Sequence, residues 1–533
     1  MLFRWLTRGD LIFVSVSVHK NEKLSGCNEV IGPLVLSAKH IIVAGAVLNP
    51  KNWGNNVKAH VVLVNPPYPV EAPQAIFIPL GICYLAAVLE DKGFTVDVVD
   101  CQTSHPSQQQ LQDKFSSLKP DIVGVTSATL TYLPALDILK AAKASVTNAL
   151  TIIGGPHVTV MDQQTFSDSP DVDVVVRSEG ELTMLELAGL VSDSNLEGLS
   201  SVLGITFRRN GQIYRNLDRP FIQDIDRLPL PAHKHFDVSK YKIMGKTYLP
   251  IITSRGCPFQ CTFCAGYKMC GRVFRARSPS KVVDELEWLR DTFGAGTFAF
   301  YDDTFTFDTK RAIAICDEMQ KRKINLPWDC RTRVDRVSPE LLAKLHSTGC
   351  QLIHFGVESG SQQMLDLMRK GTTVEQNAQA IAWAKEAGIL AAISLVIGYP
   401  GETAQMLQQT IDFIYRTKPD YVYMCEAVPY PGTELYEYTK KLGLELSKDW
   451  TQYHEQTQVF KNELLPLEKL EETKKQFYDK YFSIGYYLQK RRKGNYYSQV
   501  MARMALNHLV SKYRVSRWAF RQVAKLRRPK VSP

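Results

Sequence analysis

The chain has 533 residues, 45% hydrophobic and 22% charged, with a net charge of +10. That length allows two or three domains with substantial cores, and the composition excludes wholesale disorder. No apolar run approaches the roughly 20 residues of a membrane-spanning helix; the longest, at 11–18 and 41–48, are too short, and no signal peptide is read. The charge is uneven. Between Lys490 and Lys530 there are thirteen Lys/Arg and no Asp or Glu, so the rest of the chain totals −3. Eleven cysteines, scattered except for one dense group, fit a reducing cytoplasmic setting better than a secreted disulfide framework.

Residues 1–56 show no clear period and read as an irregular extension. From residue 57 the texture changes. Strands are expected at 59–64, 95–99, 121–125, 150–153 and 172–176, with helices at 78–92 and 134–144. Four of the five strands end in a polar or Gly-rich loop: Asn65-Pro-Pro-Tyr-Pro69, Thr126-Ser-Ala-Thr129, Gly154-Gly-Pro-His157 and Arg177-Ser-Glu-Gly-Glu181. The alternation predicts an α/β fold with a doubly wound parallel sheet over 57–190, binding ligands at its carboxyl edge. Residues 191–245 read as a linker with a hairpin around Asn210-Gly211. Six further βα repeats follow within 246–445, with strands at 248–254, 297–301, 325–331, 352–356, 390–397 and 421–427. They predict a partial βα barrel with its site at the strand C-termini. Residues 446–533 read as a helical C-terminal region with a basic tail.

The sharpest signal is Arg255-Gly-Cys-Pro-Phe-Gln-Cys-Thr-Phe-Cys264, directly after a strand. Its three thiols suit an iron–sulfur cluster, zinc or copper. Three ligands leave one iron of a four-iron cluster open to a substrate or cofactor. The competing reading is a structural zinc site with Cys270 as fourth ligand.

This motif, Cys-x3-Cys-x2-Cys with aromatic Phe263 before the last cysteine, resembles the radical S-adenosylmethionine (SAM) enzymes. So do Arg275-Ala-Arg-Ser-Pro279, Phe300-Tyr-Asp-Asp-Thr-Phe-Thr306, Phe355-Gly-Val-Glu-Ser-Gly360, Ile397-Gly-Tyr-Pro-Gly-Glu402 and Pro429-Tyr-Pro-Gly-Thr433. The resemblance is to the branch in which the radical domain follows a cobalamin-binding-type domain, and it covers residues 57–440. It implies a 4Fe–4S cluster on Cys257, Cys261 and Cys264, with SAM chelated at the open iron. One-electron reduction then cleaves SAM to a 5′-deoxyadenosyl radical that abstracts a substrate hydrogen.

The resemblance further implies SAM contacts from Phe263, Asp302, Asp303, Arg331, Arg333, Glu358, Gly398 and Gly401. Ordinary structural roles compete for most of them: helix capping for the aspartates, ion pairing for the arginines, turn formation for the glycines, core packing for Phe263. It implies cobalamin contacts from Ser127, Thr129, Gly154, Gly155 and Glu179. The Asp-x-His-x-x-Gly signature is absent, so cobalamin is expected without a histidine lower ligand; a degenerate domain that binds none is the alternative.

The implied activity is oxygen-sensitive methyl transfer to an unreactive carbon, with radical ring closure on a lipid or tetrapyrrole as the alternative. An RNA-modifying radical enzyme and a non-enzymatic zinc- or cobalamin-binding protein stay open. A flavodoxin or ferredoxin is the implied electron donor. In the tail, Val515, Trp518, Ala519, Val523 and Leu526 share one helical face opposite basic residues. That pattern suits an anionic membrane surface, with nucleic-acid contact or packing on the barrel as alternatives.

Overall fold

A computed structural model describes residues 58–68 and 77–513, and four short strands within residues 1–57. Those four, Trp5–Arg8, Leu11–Val14, Val35–Ser37 and His40–Ile41, pair antiparallel in chain order. The segment expected to be irregular thus has strands where its short apolar pieces lie.

The first large sheet is built from β1 (His60–Asn65), β2 (Thr95–Asp100), β3 (Ile122–Thr126), β4 (Leu150–Gly154), β5 (Val174–Val176), β6 (Ile205–Arg209) and β7 (Gln212–Arg215). Its order is β7-β6-β5-β4-β3-β1-β2. Strands β1 to β5 run parallel. Val61, Val62, Leu63 and Val64 are all buried, because helices cover both faces. The first of these, Leu80–Asp91, stops where Gly93 takes φ +78°. The order in which strands are added switches from one side of β1 to the other between β2 and β3, and at that point the strand ends leave a crevice.

The connector departs from expectation. Its hairpin, β6 and β7, is part of this sheet: β6 pairs antiparallel with β5. The reason is apolar. Ile205 and Phe207 are buried and extend the core past the open edge of β5.

The second sheet contains β8 (Lys242–Ile243), β9 (Lys246–Ile251), β10 (Thr297–Phe300), β11 (Trp328–Thr332), β12 (Cys350–Glu358), β13 (Leu390–Ile397) and β14 (Tyr421–Glu426), neighbours in that order. Strands β9 to β14 are parallel, and the sheet curls into the expected partial barrel without closing. Alternate residues sort by face. Leu249, Phe298, Ile353 and Ile393 pack outward on the helices. Tyr248, Ala299, Leu352, Leu390 and Tyr421 face inward, near the strand starts.

That inner face is filled by the C-terminal helices Ile484–Lys493 and Tyr496–Tyr513, through Tyr487, Tyr497, Met501, Ala505 and Leu509. Tyr497 donates to the fully buried Asp329 at 2.7 Å. Among the described residues, the plug covers the inner face near the strand starts, and the carboxyl ends of the strands border a cavity. It also corrects the reading of the basic segment: Lys490 is buried and ion-paired with Asp420, so it is no surface cation. The face named at 515–526 lies outside the described residues. No helix among those described is long and apolar enough to cross a membrane.

Candidate active site between the two sheets

The carboxyl edges of the two sheets share one cavity of about 310 Å³. Its walls come from the ends of β1, β3, β4 and β5 on one side, and from Ser254, Arg255, Met269, Cys270, Tyr301 and Asp303 on the other.

The cysteine loop is an excursion between two short strand pieces, Ser254–Arg255 and Arg275–Ala276, which pair antiparallel at its base. Gly256 takes φ +87° at the entry, and a Cβ there would lie 2.2 Å from the Val273 carbonyl. Only glycine fits. Cys257 is half-buried, and Cys264, although an exposed residue of the loop, has surroundings that desolvate its sulfur. Burial pushes the Cys264 thiol up to about 11, and the charges of Asp303, Cys261 and Cys257 push the same way, so the three thiols share one electrostatic site. The Arg333 guanidinium sits 3.9 Å from Cys261 Sγ and offsets part of that charge.

The structure separates Asp302 from Asp303. Asp302 is buried and accepts from the Thr253 amide at 2.6 Å, the Thr253 hydroxyl and the Ser254 hydroxyl at 2.9 Å. It is a strut beneath the loop, with three of its acceptor sites taken by the chain itself. Asp303 faces the cavity beside Cys264, its carboxyl pushed up by burial and by Asp302.

Arg331 stacks 3.5 Å over Tyr301 and pairs with Asp329 at 3.2 Å inside the barrel. Arg333 is buried against Asp335 at 2.9 Å and donates to the Lys370 carbonyl at 2.8 Å. Glu358 ends β12 at φ +66°, a costly conformation for a side-chain-bearing residue, and its buried carboxylate takes Lys370 Nζ at 2.7 Å. Phe263 packs on a cluster around Met364, Met368 and Tyr399. Gly398 and Gly401 take φ +71° and +94° in one turn, closed by Gly398 N–H donating to Glu402 at 2.5 Å.

On the opposite wall Gly154 and Gly155 line the cavity. A Cβ on Gly155 would lie 2.5 Å from the Ser127 carbonyl. Ser127 is buried and its hydroxyl has no partner. Thr129 is taken by His157 at 3.2 Å. His157 is buried between Tyr132 and Trp450, and burial lowers its pKa to about 4.

Glu179 is held by the chain's own arginines. It lines the cavity but is locked between Arg255 at 3.2 Å and Arg275 at 2.8 Å, while also accepting from the Ile222 amide at 2.8 Å. Glu181 holds Arg255 from the other side at 2.6 Å. Two glutamates of the first sheet thus clamp the two arginines at the base of the cysteine loop. Sequence reasoning missed this quartet. The charges themselves are visible in sequence, one arginine at each foot of the loop and Glu-Gly-Glu at a strand end, but nothing there pairs them.

The radical SAM superfamily model matches residues 251–414, and the B12-binding-domain model matches residues 70–188. An uncharacterized methyltransferase of Pyrococcus horikoshii is 34% identical over 70% of this chain and 81% of its own length. The chain belongs to the cobalamin-binding branch of the radical SAM superfamily. The anaerobic magnesium-protoporphyrin IX monomethyl ester cyclase of Rubrivivax gelatinosus is 32% identical, over 77% of this chain and 75% of its own. In fold, this radical SAM chain is similar to the radical SAM methyltransferase TsrM of Kitasatospora setae. The TM-score is 0.64 at 20% identity, over 73% of this chain and 79% of that one.

Radical SAM membership brings a 4Fe–4S cluster, SAM and an external electron donor, and the B12-binding domain brings cobalamin. The residues present fit these groups. Three thiols share one loop, with the Asp303 carboxylate beside them and the Arg333 guanidinium 3.9 Å from Cys261 Sγ. The B12-side wall offers glycine backbone and an unpaired hydroxyl at Ser127.

Proposed function

We propose that this enzyme transfers a methyl group to an unactivated carbon of a hydrophobic small molecule. The single observation that carries this reading is the shared cavity: the B12-side strand ends and the cysteine loop face one space, whose lining is mostly apolar. When bound, the cluster with SAM supplies a hydrogen-abstracting radical, and cobalamin supplies a transferable methyl group.

The chain's own residues do the rest. Cys257, Cys261 and Cys264 would hold the cluster. Asp303, Glu358 with Lys370, and the turn at Gly398 and Gly401 would hold SAM, while Arg331 would present a cation towards the substrate from the barrel interior. Gly154, Gly155 and Ser127 would accept the corrin side. The clamp of Glu179 and Glu181 on Arg255 and Arg275 fixes one wall against the other, and the C-terminal plug excludes water from below. In this reading the working division is 57–190 and 246–445, with the β6–β7 hairpin joining the first unit.

Ring closure is the second reading, supported by the relative named as a cyclase. Mass spectrometry separates the two. Methylation consumes a second SAM and gives S-adenosylhomocysteine; ring closure gives 5′-deoxyadenosine alone. A flavodoxin or ferredoxin in the cytoplasm would serve as donor. Peripheral membrane binding would fall to the segment after residue 513. Flotation with anionic liposomes tests it by comparing the full chain with a truncation there, which spares the barrel plug; equal flotation of both would contradict it.

A further inference from the structure

The outer wall of the cysteine loop carries an apolar and cationic surface that the cofactor sites do not use. Val273 is 69% exposed, yet its carbonyl presses on Gly256, next to Cys257. Beside it Phe274 packs on Phe307 with ring centroids 4.7 Å apart, and Phe307 meets Phe259 edge-on at 6.0 Å. All three rings are half-buried. Arg336 lies over Phe259 and Phe307, at 5.4 and 5.3 Å, and its Nε has no hydrogen-bond partner. Arg272 donates to the Phe259 carbonyl at 2.7 Å and lies over the Tyr267 ring. The adjacent carboxylate, Asp335, is taken by Arg333, and neither Arg272 nor Arg336 forms an ion pair among the described residues. The patch also leads inward. The Arg333 guanidinium stacks 3.7 Å over Phe259 and reaches to 3.9 Å from Cys261 Sγ. One ring and one guanidinium separate the surface from a cluster thiol.

We propose that this surface docks the external electron donor, and that the donor is a small acidic flavoprotein of the flavodoxin type. The inference rests on the reading that a cluster occupies the cysteine loop and must be reduced from outside. Unpaired arginines around an exposed aliphatic centre match an acidic partner with an apolar middle. The flavin is the better fit because its exposed ring edge can pack on aromatic side chains. In the docked pair one electron leaves the reduced flavin, which is oxidised by one electron, and the cluster is reduced by one. No bond of this chain is made or broken.

The test is anaerobic stopped-flow reduction of the reconstituted enzyme by a flavodoxin of net negative charge, with dithionite in parallel. R272E/R336E is expected to slow flavodoxin reduction at least tenfold at low salt, with the gap narrowing as salt rises. V273D is expected to slow it at all salt concentrations. Dithionite reduction and iron content should match wild type in both variants. Flavodoxin reduction of R272E/R336E at the wild-type rate would overturn the surface. A wild-type enzyme reduced by dithionite and ferredoxin but not by flavodoxin would overturn the flavin partner. A wild-type protein that holds no iron would overturn the underlying cluster reading instead.

Discussion

Two residues test the local packing of the cysteine loop and of the turn at Gly398 most sharply. At Gly256 a methyl group would meet the Val273 carbonyl at 2.2 Å with φ at +87°. Neither the backbone conformation nor the space tolerates a side chain. Gly256→Ala is therefore expected to lose about 2–4 kcal/mol of stability and to bind little iron, read as denaturation midpoint and iron per chain. Glu402 is the second case. It is fully buried, one carboxylate oxygen holds Gly398 N–H, and the other has no partner. Burial raises its pKa from 4.5 to about 7. In that window the folded state keeps a proton that the unfolded state has lost, so stability falls as pH rises from about 4.5 to 7, by about 3 kcal/mol in all. Above 7 the loss is complete. Glu402→Gln is expected to flatten this dependence and to be the more stable protein at pH 8. Urea midpoints from pH 5 to 8 check it, and parallel curves for the two proteins would contradict it.

Between elements, the quartet Glu179, Glu181, Arg255 and Arg275 joins a strand end of the first sheet to the feet of the cysteine loop. All four side chains are at most 10% exposed, so removing one charge strands its partner away from water. Glu181→Gln is expected to cost about 3–5 kcal/mol, and pairing Glu181→Leu with Arg255→Met to recover most of it. Additive losses in the double variant would show that the charges do not act as a pair. The same elements show what was legible in sequence. Strands such as β13 and β14 were readable from their apolar runs, and the cysteine loop from its spacing. The quartet was not, because ion pairing between residues some 75 to 95 apart leaves no periodic trace. Glu179 and Asp302 were given cofactor roles for the same reason: a carboxylate at a strand end looks alike whether it waits for a ligand or is already held. The plug on the barrel was hidden too. Tyr487, Tyr497 and Met501 sit in a stretch whose basic charge suggests an outer surface, whereas these side chains pack on the sheet and Lys490 is buried against Asp420.

At the scale of the whole molecule, two sheets of different topology, one with a switch in strand order at β1 and one curled, turn their carboxyl edges to one cavity. Helices fill the barrel from below, and the clamp fixes the cysteine loop above. That geometry is what two cofactor sites acting on one substrate, as proposed above, require. The most direct measurement is anaerobic reconstitution with iron, sulfide and hydroxocobalamin, followed by SAM and dithionite with mass spectrometry of the products. The expected result is four irons and one cobalamin per chain, with 5′-deoxyadenosine formed. Zinc in place of iron and no 5′-deoxyadenosine would contradict it.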